Sequence, residues 1–203
     1  MKRVGLLGGA FNPPHQAHLE LARLALAHLE LDELRFVPTA RSPHKPTPGD
    51  ITDPQRLALL EAAIEGLDPR ARIEPLELER GGTSYTADTL EALSGREPDA
   101  AWILVLGSDQ LPGLPRWRRA ETIFRLAALA VAERPGQAAA IPPDLPLRPV
   151  ARWSGAPGEV VALPSTGLDL ASTPLREELR HGGVVSGLPA PVARLIQSEN
   201  LYR

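Results

Sequence analysis

Short apolar runs that alternate with helical segments are the feature that most constrains the fold of this chain. Residues 4–7, 34–37, 102–106, 129–132 and 160–163 are brief and mostly apolar, which is the pattern of strands buried on both faces. Residues 72–74 resemble a weaker strand. Because helical segments lie between these runs, we expect an α/β fold with a doubly wound parallel sheet flanked by helices.

Two predicted helix starts carry the same signal, a capping residue followed by proline. Asp53-Pro54 and Thr173-Pro174 predict helices with Asp53 and Thr173 as their N-caps. Other helices are expected over residues 14–29, over 86–93 with Thr86 or Ser84 as the cap, over 120–126 and over 191–198. The helix from Asp53 is expected to direct Leu57, Leu60 and Ile64 inward. No linker or repeat interrupts the alternation, so we predict one domain over residues 1–203, with residues 137–157 left unassigned.

Composition excludes several classes of function. The 22 Lys and Arg residues against 25 Asp and Glu residues give a net charge of −3, so the whole chain has no general attraction for nucleic acid or anionic lipid. The absence of cysteine excludes disulfides, thiolate metal sites and a cysteine nucleophile. No apolar run approaches the roughly 20 residues that cross a bilayer. We therefore expect a cytoplasmic protein with no nucleic-acid or membrane partner.

The loop after the first strand is the first candidate site. Ligands of open parallel sheets bind beyond the carboxyl ends of the strands, and Gly8-Gly9 ends this strand. The next helix start offers free N–H groups to an anion such as phosphate. His15 and His18 lie one helical turn apart, so both imidazoles can face one ligand. A plain strand–helix turn fits about equally well, and two histidines make a weak zinc site.

Ordered motifs along the chain resemble a known family. The first loop resembles the HxGH signature of the Rossmann-like nucleotidyltransferases, and the whole set resembles the bacterial nicotinate-nucleotide adenylyltransferases. The motifs are GGAFNP at 8–13, SPHK at 42–45, RGGTSYTADTL at 80–90, GSDQ at 107–110, LPRW at 114–117, ERPG at 133–136, STPLR at 172–176 and the ending LYR. Ala10, Asn12 and Ala17 stand where the family usually has Thr, Asp and Gly.

The resemblance implies an adenylyl transfer from ATP to nicotinate mononucleotide, which gives deamido-NAD and pyrophosphate. It implies Mg²⁺ bound with the ATP phosphates, with no metal ligand assigned to the protein, and it leaves a homo-oligomer open. Implied catalytic residues are His15, His18, Lys45 and Arg176. Implied ATP-binding residues are Gly8, Gly9, Phe11, Gly107, Asp109, Arg134, Ser172 and Thr173. Implied nicotinate-mononucleotide-binding residues are Ala10, Asn12, His44, Tyr85, Thr86, Leu114 and Trp117.

Residue chemistry supports these roles beside simpler alternatives. Lys45 is one of two Lys residues against 20 Arg, and a compact ammonium suits phosphate, although an exposed Lys is usually only a solvated charge. Trp117 lies among charged residues and can stack on a pyridinium ring, or it can cover an apolar surface. Asp109 can bind ribose hydroxyls or cap a helix. Thr173 can serve the phosphates or be only an N-cap.

Rival functions follow from the same motifs. The nearest is adenylyl transfer to nicotinamide mononucleotide, or to both acceptors. A phosphopantetheine adenylyltransferase shares the HxGH turn, but the segments at 85–90 and 114–117 argue against it. A nucleotide-binding module without catalysis is the alternative from another class, and retention of the two histidines, Lys45 and Arg176 argues against it.

Overall fold

The computed structural model describes residues 1–43, 50–133, 141–182 and 185–203. Within these ranges, seven strands form one sheet in the order β3-β2-β1-β4-β5-β7-β6, and every pairing is parallel. The strands are β1 Lys2–Gly9, β2 Glu33–Pro38, β3 Ala71–Ile73, β4 Ala100–Gly107, β5 Ala127–Ala132, β6 Arg148–Val150 and β7 Glu159–Leu163. The predicted parallel sheet is confirmed.

Helices cover both faces of this sheet. They are α1 Gln16–His28, α2 Asp53–Ile64, α3 Leu76–Arg80, α4 Thr86–Arg96, α5 Ala120–Leu126, α6 Ser172–Arg180 and α7 Ala190–Ser198, with a 3-10 helix over Ser108–Arg116. None of the helices in these ranges is long and apolar enough to cross a bilayer.

Alternate residues of the central strands divide the core into two layers. Ile103 of β4 belongs to the layer that contains Leu26 of α1 and Leu59 of α2. Its neighbour Leu104 belongs to the opposite layer, which contains Leu90 of α4. This two-sided burial explains the mostly apolar strand sequences, because successive side chains of a strand point to opposite faces.

The strand order places a switch point between β1 and β4. From β1 the chain builds outward through β2 to β3, and it then returns to form β4 on the other side of β1. The connections that leave β1 and β4 therefore run to opposite sides, which opens a crevice at their carboxyl ends.

Three predicted caps are wrong. Thr52, not Asp53, is the N-cap of α2, and its hydroxyl accepts a hydrogen bond from the Gln55 N–H. Ala171 precedes α6, so Thr173 lies inside the first turn. Tyr85 precedes α4. In each case a neighbouring residue adopts the extended backbone that an N-cap requires, and a Ser or Thr near a helix start is not by itself a cap.

The predicted inward face of α2 is partly wrong. Leu60 is fully buried as expected, and Ile64 packs against the core, but Leu57 is only half-buried. Leu59 is buried in its place. The helix face that meets the sheet is therefore rotated relative to the predicted stripe.

Three short elements were not predicted. They are α3, strand β6 and the 3-10 helix. Helix α3 and strand β6 have too few residues to establish a hydrophobic period, and the 3-10 helix contains two prolines that argue against a helix. Strand β6 lies in the Ala- and Pro-rich segment that was left unassigned.

The turn before β3 contains a carboxylate with a shifted pKa. The Arg70 guanidinium donates to both Asp68 oxygens at 2.9 Å, and the Arg70 N–H donates at 2.8 Å. These bonds favour the charged carboxylate and lower the pKa of Asp68 from 3.8 to about 2. The same guanidinium donates to the Leu31 carbonyl at 3.2 Å, which ties this turn to the end of α1.

We expect an NMR titration to find the Asp68 pKa near 2, and the Arg70→Gln variant to raise it toward 3.8. Because the folded pKa lies below the unfolded value, this interaction contributes stability above about pH 4 and loses it as the pH falls toward 2. Arg72→Gln, at an exposed neighbouring position whose guanidinium pairs with Glu33, should leave the titration unchanged. An Asp68 pKa near 3.8 in the unaltered protein would contradict the assignment.

Candidate active site

The first loop, residues 8–15, begins with the last two residues of β1 and lies at the switch point. Gly8 and Ala10 are exposed, whereas residues 11–15 are buried. The Gly9 carbonyl accepts a hydrogen bond from Thr39 N–H at 2.9 Å, which holds this loop beside the end of β2. The loop therefore presents backbone at its first residues and buries the side chains that follow.

Phe11 anchors this loop in the core. Its φ of 47° is left-handed, its side chain is 1% exposed, and its ring lies 5.0 Å from the His18 ring and 5.8 Å from the Phe36 ring. A Cβ at Gly9 would lie 3.2 Å from the Phe11 ring, so glycine permits this close packing. Phe11 can consequently offer an ATP ligand only its backbone.

The two histidines lie together at the start of α1. His15 is the N-cap, and its ring stacks on the His18 ring with centroids 3.7 Å apart. The His15 N–H donates to His18 Nδ1 at 3.2 Å. Since Nδ1 accepts this bond, a neutral His18 carries its proton on Nε2 and can donate from that atom. The structure therefore brings together the two residues that the spacing pairs.

The start of α6 docks on the first loop. Arg176 Nη1 donates to the Asn12 carbonyl at 2.7 Å, and Nη2 donates to the Thr173 hydroxyl at 3.1 Å. The Ser172 hydroxyl donates to the Pro13 carbonyl at 3.1 Å. Residues 159 and 164 positions apart in the chain thus meet at the carboxyl edge, with Thr173 exposed and Arg176 buried.

The segment around Tyr85 lies next to the loop that follows β2. Thr83 bridges to Arg41, and the Ser84 N–H donates to the Arg41 carbonyl at 2.9 Å. The Ser84 hydroxyl accepts from the Ala40 N–H at 3.0 Å, which is why Ser84 does not cap α4. Tyr85 is therefore held at the rim, with Thr86 beginning α4.

Trp117 follows the 3-10 helix as its C-cap and packs against the apolar layer that contains Leu114. Its side chain is half-buried, and its backbone N–H donates to the Leu114 carbonyl at 3.0 Å. The Arg118 guanidinium lies 4.5 Å above the Tyr85 ring, which places the two segments side by side. Arg119 pairs with Asp88 and with Glu91 of α4. Leu114 is fully buried, so its side chain serves the core.

Asp109 lies just beyond β4. Gly107 is the N-cap of the 3-10 helix, so the alternative that Asp109 caps this helix is wrong. The Asp109 carboxylate accepts a hydrogen bond from Gln110 Nε2 at 2.7 Å. Its half-buried side chain at the switch point suits a ligand hydroxyl. His44, Lys45 and Arg134, which were also predicted for the site, lie outside the described residues.

Two residues that contact the first loop from below were not predicted from the sequence. Arg56 of α2 is 1% exposed; it donates to the Ala10 carbonyl at 2.8 Å and pairs with Asp53 at 2.7 Å. Arg56 lies on the same helix face as Leu59, Leu60 and Ala63. An Arg within such an apolar stripe is the sequence feature that indicates a buried guanidinium with a specific partner. The second is Tyr202, whose hydroxyl donates to Asn12 Oδ1 at 2.7 Å.

The donor set of this edge suits a metal held mainly by substrate. Within the described residues, no group of three or more His, Asp or Glu could hold an ion. The groups at the edge are imidazoles, hydroxyls, a guanidinium and backbone N–H groups, which bind phosphate oxygens. Mg²⁺ keeps several waters and is commonly bound through substrate phosphates, so these residues are compatible with Mg²⁺ that arrives with a nucleotide.

A shallow groove of about 690 Å³ lies away from this edge. It is bounded by α2 and β3 and lined by residues that include Ala58, Glu61 and Arg72. None of the predicted site residues that the structure describes lines it. Its walls lack the histidines and hydroxyls that the carboxyl edge brings together, so the groove is not our candidate site.

Known proteins resemble this chain in sequence and in fold. A cytidylyltransferase-like family model matches residues 6–177. A Bordetella petrii protein named probable nicotinate-nucleotide adenylyltransferase is 42% identical over 205 residues, covering 100% of both chains. The chain belongs to the nicotinate-nucleotide adenylyltransferase family. A Halalkalibacterium halodurans member is 34% identical over all of this chain and 92% of its own.

Solved structures agree with the fold of this family. Plasmodium falciparum nicotinic acid mononucleotide adenylyltransferase, complexed with NaAD, superimposes with a TM-score of 0.78. The comparison covers 100% of this chain and 98% of that chain at 17% identity. At this identity the likeness establishes a shared architecture, and the roles of individual residues depend on the geometry described above.

Proposed function

We propose that this protein transfers the adenylyl group of ATP to nicotinate mononucleotide, which produces deamido-NAD and pyrophosphate in NAD biosynthesis. One observation carries the site assignment: α6 docks on the first loop at the carboxyl edge of the sheet, through Arg176 and Asn12. This contact gathers histidines, hydroxyls and free helix N–H groups where a triphosphate can lie.

The reaction needs positioning more than a protein nucleophile. An oxygen of the nicotinate mononucleotide phosphate attacks the α-phosphorus of ATP; a new P–O bond forms, and the bond to pyrophosphate breaks. Because the attacking phosphate is already anionic, the protein has to align it and stabilise charge on the leaving pyrophosphate. We assign this work to His15, His18, Lys45 and Arg176. When bound with the phosphates, Mg²⁺ would neutralise part of that charge.

ATP is assigned to the edge between β1 and β4. The exposed Gly8 and the half-buried Gly9 let phosphates approach the backbone, as does the backbone of Phe11. Asp109, just after Gly107, is assigned to the ribose hydroxyls, and Arg134 to the adenine. The hydroxyls of Ser172 and Thr173 lie at the start of α6, where the helix N-terminus favours phosphate.

Nicotinate mononucleotide is assigned to the side that contains Trp117. The half-buried indole can stack on the electron-poor pyridinium ring, and the N–H groups at the start of α4, around Tyr85 and Thr86, suit a carboxylate. Ala10, Asn12, His44 and Leu114 complete this side, Leu114 by supporting Trp117 from the core. A carboxylate preference at α4 favours nicotinate over nicotinamide, which has no negative charge there.

Further properties of the enzyme belong to the same proposal. We propose a single catalytic domain over residues 1–203 that acts in the cytoplasm on small nucleotides. We propose no nucleic-acid or membrane partner, and a homo-oligomer is compatible with the proposal.

Pyrophosphate release with ATP and Mg²⁺ tests the acceptor directly. We expect turnover with nicotinate mononucleotide and at least tenfold lower kcat/KM with nicotinamide mononucleotide, because only the former presents a carboxylate to the start of α4. Phosphopantetheine should give no turnover. Absence of release with nicotinate mononucleotide would exclude the proposed function.

His18→Ala should lower kcat by more than 10²-fold, because it removes a donor that stabilises charge on the phosphates in the transition state. His28→Ala is the matched control, since His28 is exposed at the other end of the same helix. Steady-state kinetics of both variants give the comparison. Near-normal turnover in His18→Ala would assign His18 a structural role only.

Trp117→Ala should raise the KM for nicotinate mononucleotide about tenfold and leave the KM for ATP within twofold, since the loss of a stacking contact is of this size. Trp117→Tyr keeps an aromatic face and should retain most of the affinity. An unchanged acceptor KM in the alanine variant would refute stacking by Trp117.

A further inference from the structure

The end of the chain contributes a buried hydroxyl to the first loop. Tyr202 is 2% exposed, although it is the second residue from the C-terminus. Its hydroxyl donates to Asn12 Oδ1 at 2.7 Å, between residues 190 positions apart. Both side chains are buried, so water does not readily replace this bond when it is lost.

Asn12 is held from two directions. Arg176 Nη1 donates to its backbone carbonyl at 2.7 Å, and Tyr202 binds its side-chain oxygen. The hydroxyl bond restrains the Asn12 side chain at its amide oxygen, while the Arg176 bond restrains the Asn12 backbone. The bond with Tyr202 thus fixes the position of the Asn12 side chain, and the bond with Arg176 fixes that of its backbone.

Tyr202 is itself rigidly placed. The chain turns after α7 with positive φ at Asn200 and at Tyr202, 56° and 64°, and the Leu201 N–H donates to the Ile196 carbonyl at 3.0 Å. Leu201 and Tyr202 both pack in the same apolar layer as α7. Burial raises the pKa of the Tyr202 hydroxyl, so the hydroxyl keeps its proton at neutral pH.

The other supports of the loop act on different atoms. Arg56 donates to the Ala10 carbonyl and Ser172 to the Pro13 carbonyl, so both hold the backbone. Tyr202 instead holds a side chain, that of Asn12. A lost hydroxyl would therefore leave these backbone contacts in place and remove one hydrogen bond from the Asn12 amide.

We infer that Tyr202 is a positioning residue for adenylyl transfer, which sets the Asn12 amide and with it the acceptor side of the first loop. This inference rests on the proposed function, because it is the acceptor side that we assign to nicotinate mononucleotide. Tyr202 lies beneath the loop and acts through Asn12, with no contact to the substrates.

Tyr202→Phe tests this inference, because it deletes the hydroxyl and retains the ring. We expect kcat/KM for nicotinate mononucleotide to fall about tenfold, while the KM for ATP changes less than twofold. An unchanged kcat/KM for the acceptor would overturn the inference. The unaltered protein is assayed in parallel, since its failure to release pyrophosphate would reject the proposed function instead.

Trp153→Phe is the matched control for a lost buried hydrogen bond. Trp153 is also 2% exposed, and its Nε1 donates to the Ala156 carbonyl at 3.0 Å. It lies beside Arg3 at the beginning of β1, the opposite edge of the sheet. We expect Trp153→Phe to lower the melting temperature at least as much as Tyr202→Phe, with unchanged kinetics. An equal loss of kcat/KM in both variants would show a general effect of destabilisation and overturn the inference.

A double-mutant comparison tests whether the effect passes through Asn12. In an Asn12→Ala background, adding Tyr202→Phe should lower kcat/KM by less than twofold, because the shared bond is already absent. A full further tenfold loss would show that Tyr202 acts by another route and would overturn the assignment.

Discussion

Parallel pairing of β1 with both β2 and β4 is the constraint on which the site depends. Parallel strands all end at one edge, so the loops after them collect there regardless of their distance along the chain. The chain adds β2 and β3 on one side of β1 and then β4 on the other side. The loops after β1 and β4 therefore diverge and leave room between them. The first loop occupies this place, which is why its glycines and histidines can act with residues of α6.

Buried polar contacts give the first loop its shape. Its residues 11–15 lie below the surface, where a carbonyl without a partner is costly. Arg56, Ser172 and Arg176 each supply a donor to one of these carbonyls or to that of Ala10, and Tyr202 supplies one to Asn12. Three separate segments, α2, α6 and the residues after α7, therefore determine one loop conformation, and a ligand meets a site that is already assembled.

Periodicity predicted most of the sheet and most of the helices, because buried strands and amphipathic helices have patterns that are local in sequence. The helix α5 was predicted at its observed bounds. Contacts between distant segments have no such local pattern, so the partnership of Tyr202 with Asn12 was not predicted. The burial of Phe11 and Leu114 is a related case: motifs indicate which residues recur at a site, but not whether a side chain faces the ligand or the core.

A crystal structure with deamido-NAD bound tests the account most directly. The account predicts that the diphosphate lies between the first loop and the start of α6, near His18 and Thr173, with the pyridine ring against Trp117. Binding of the product away from the carboxyl edge of β1 and β4, for instance in the groove between α2 and β3, would contradict it.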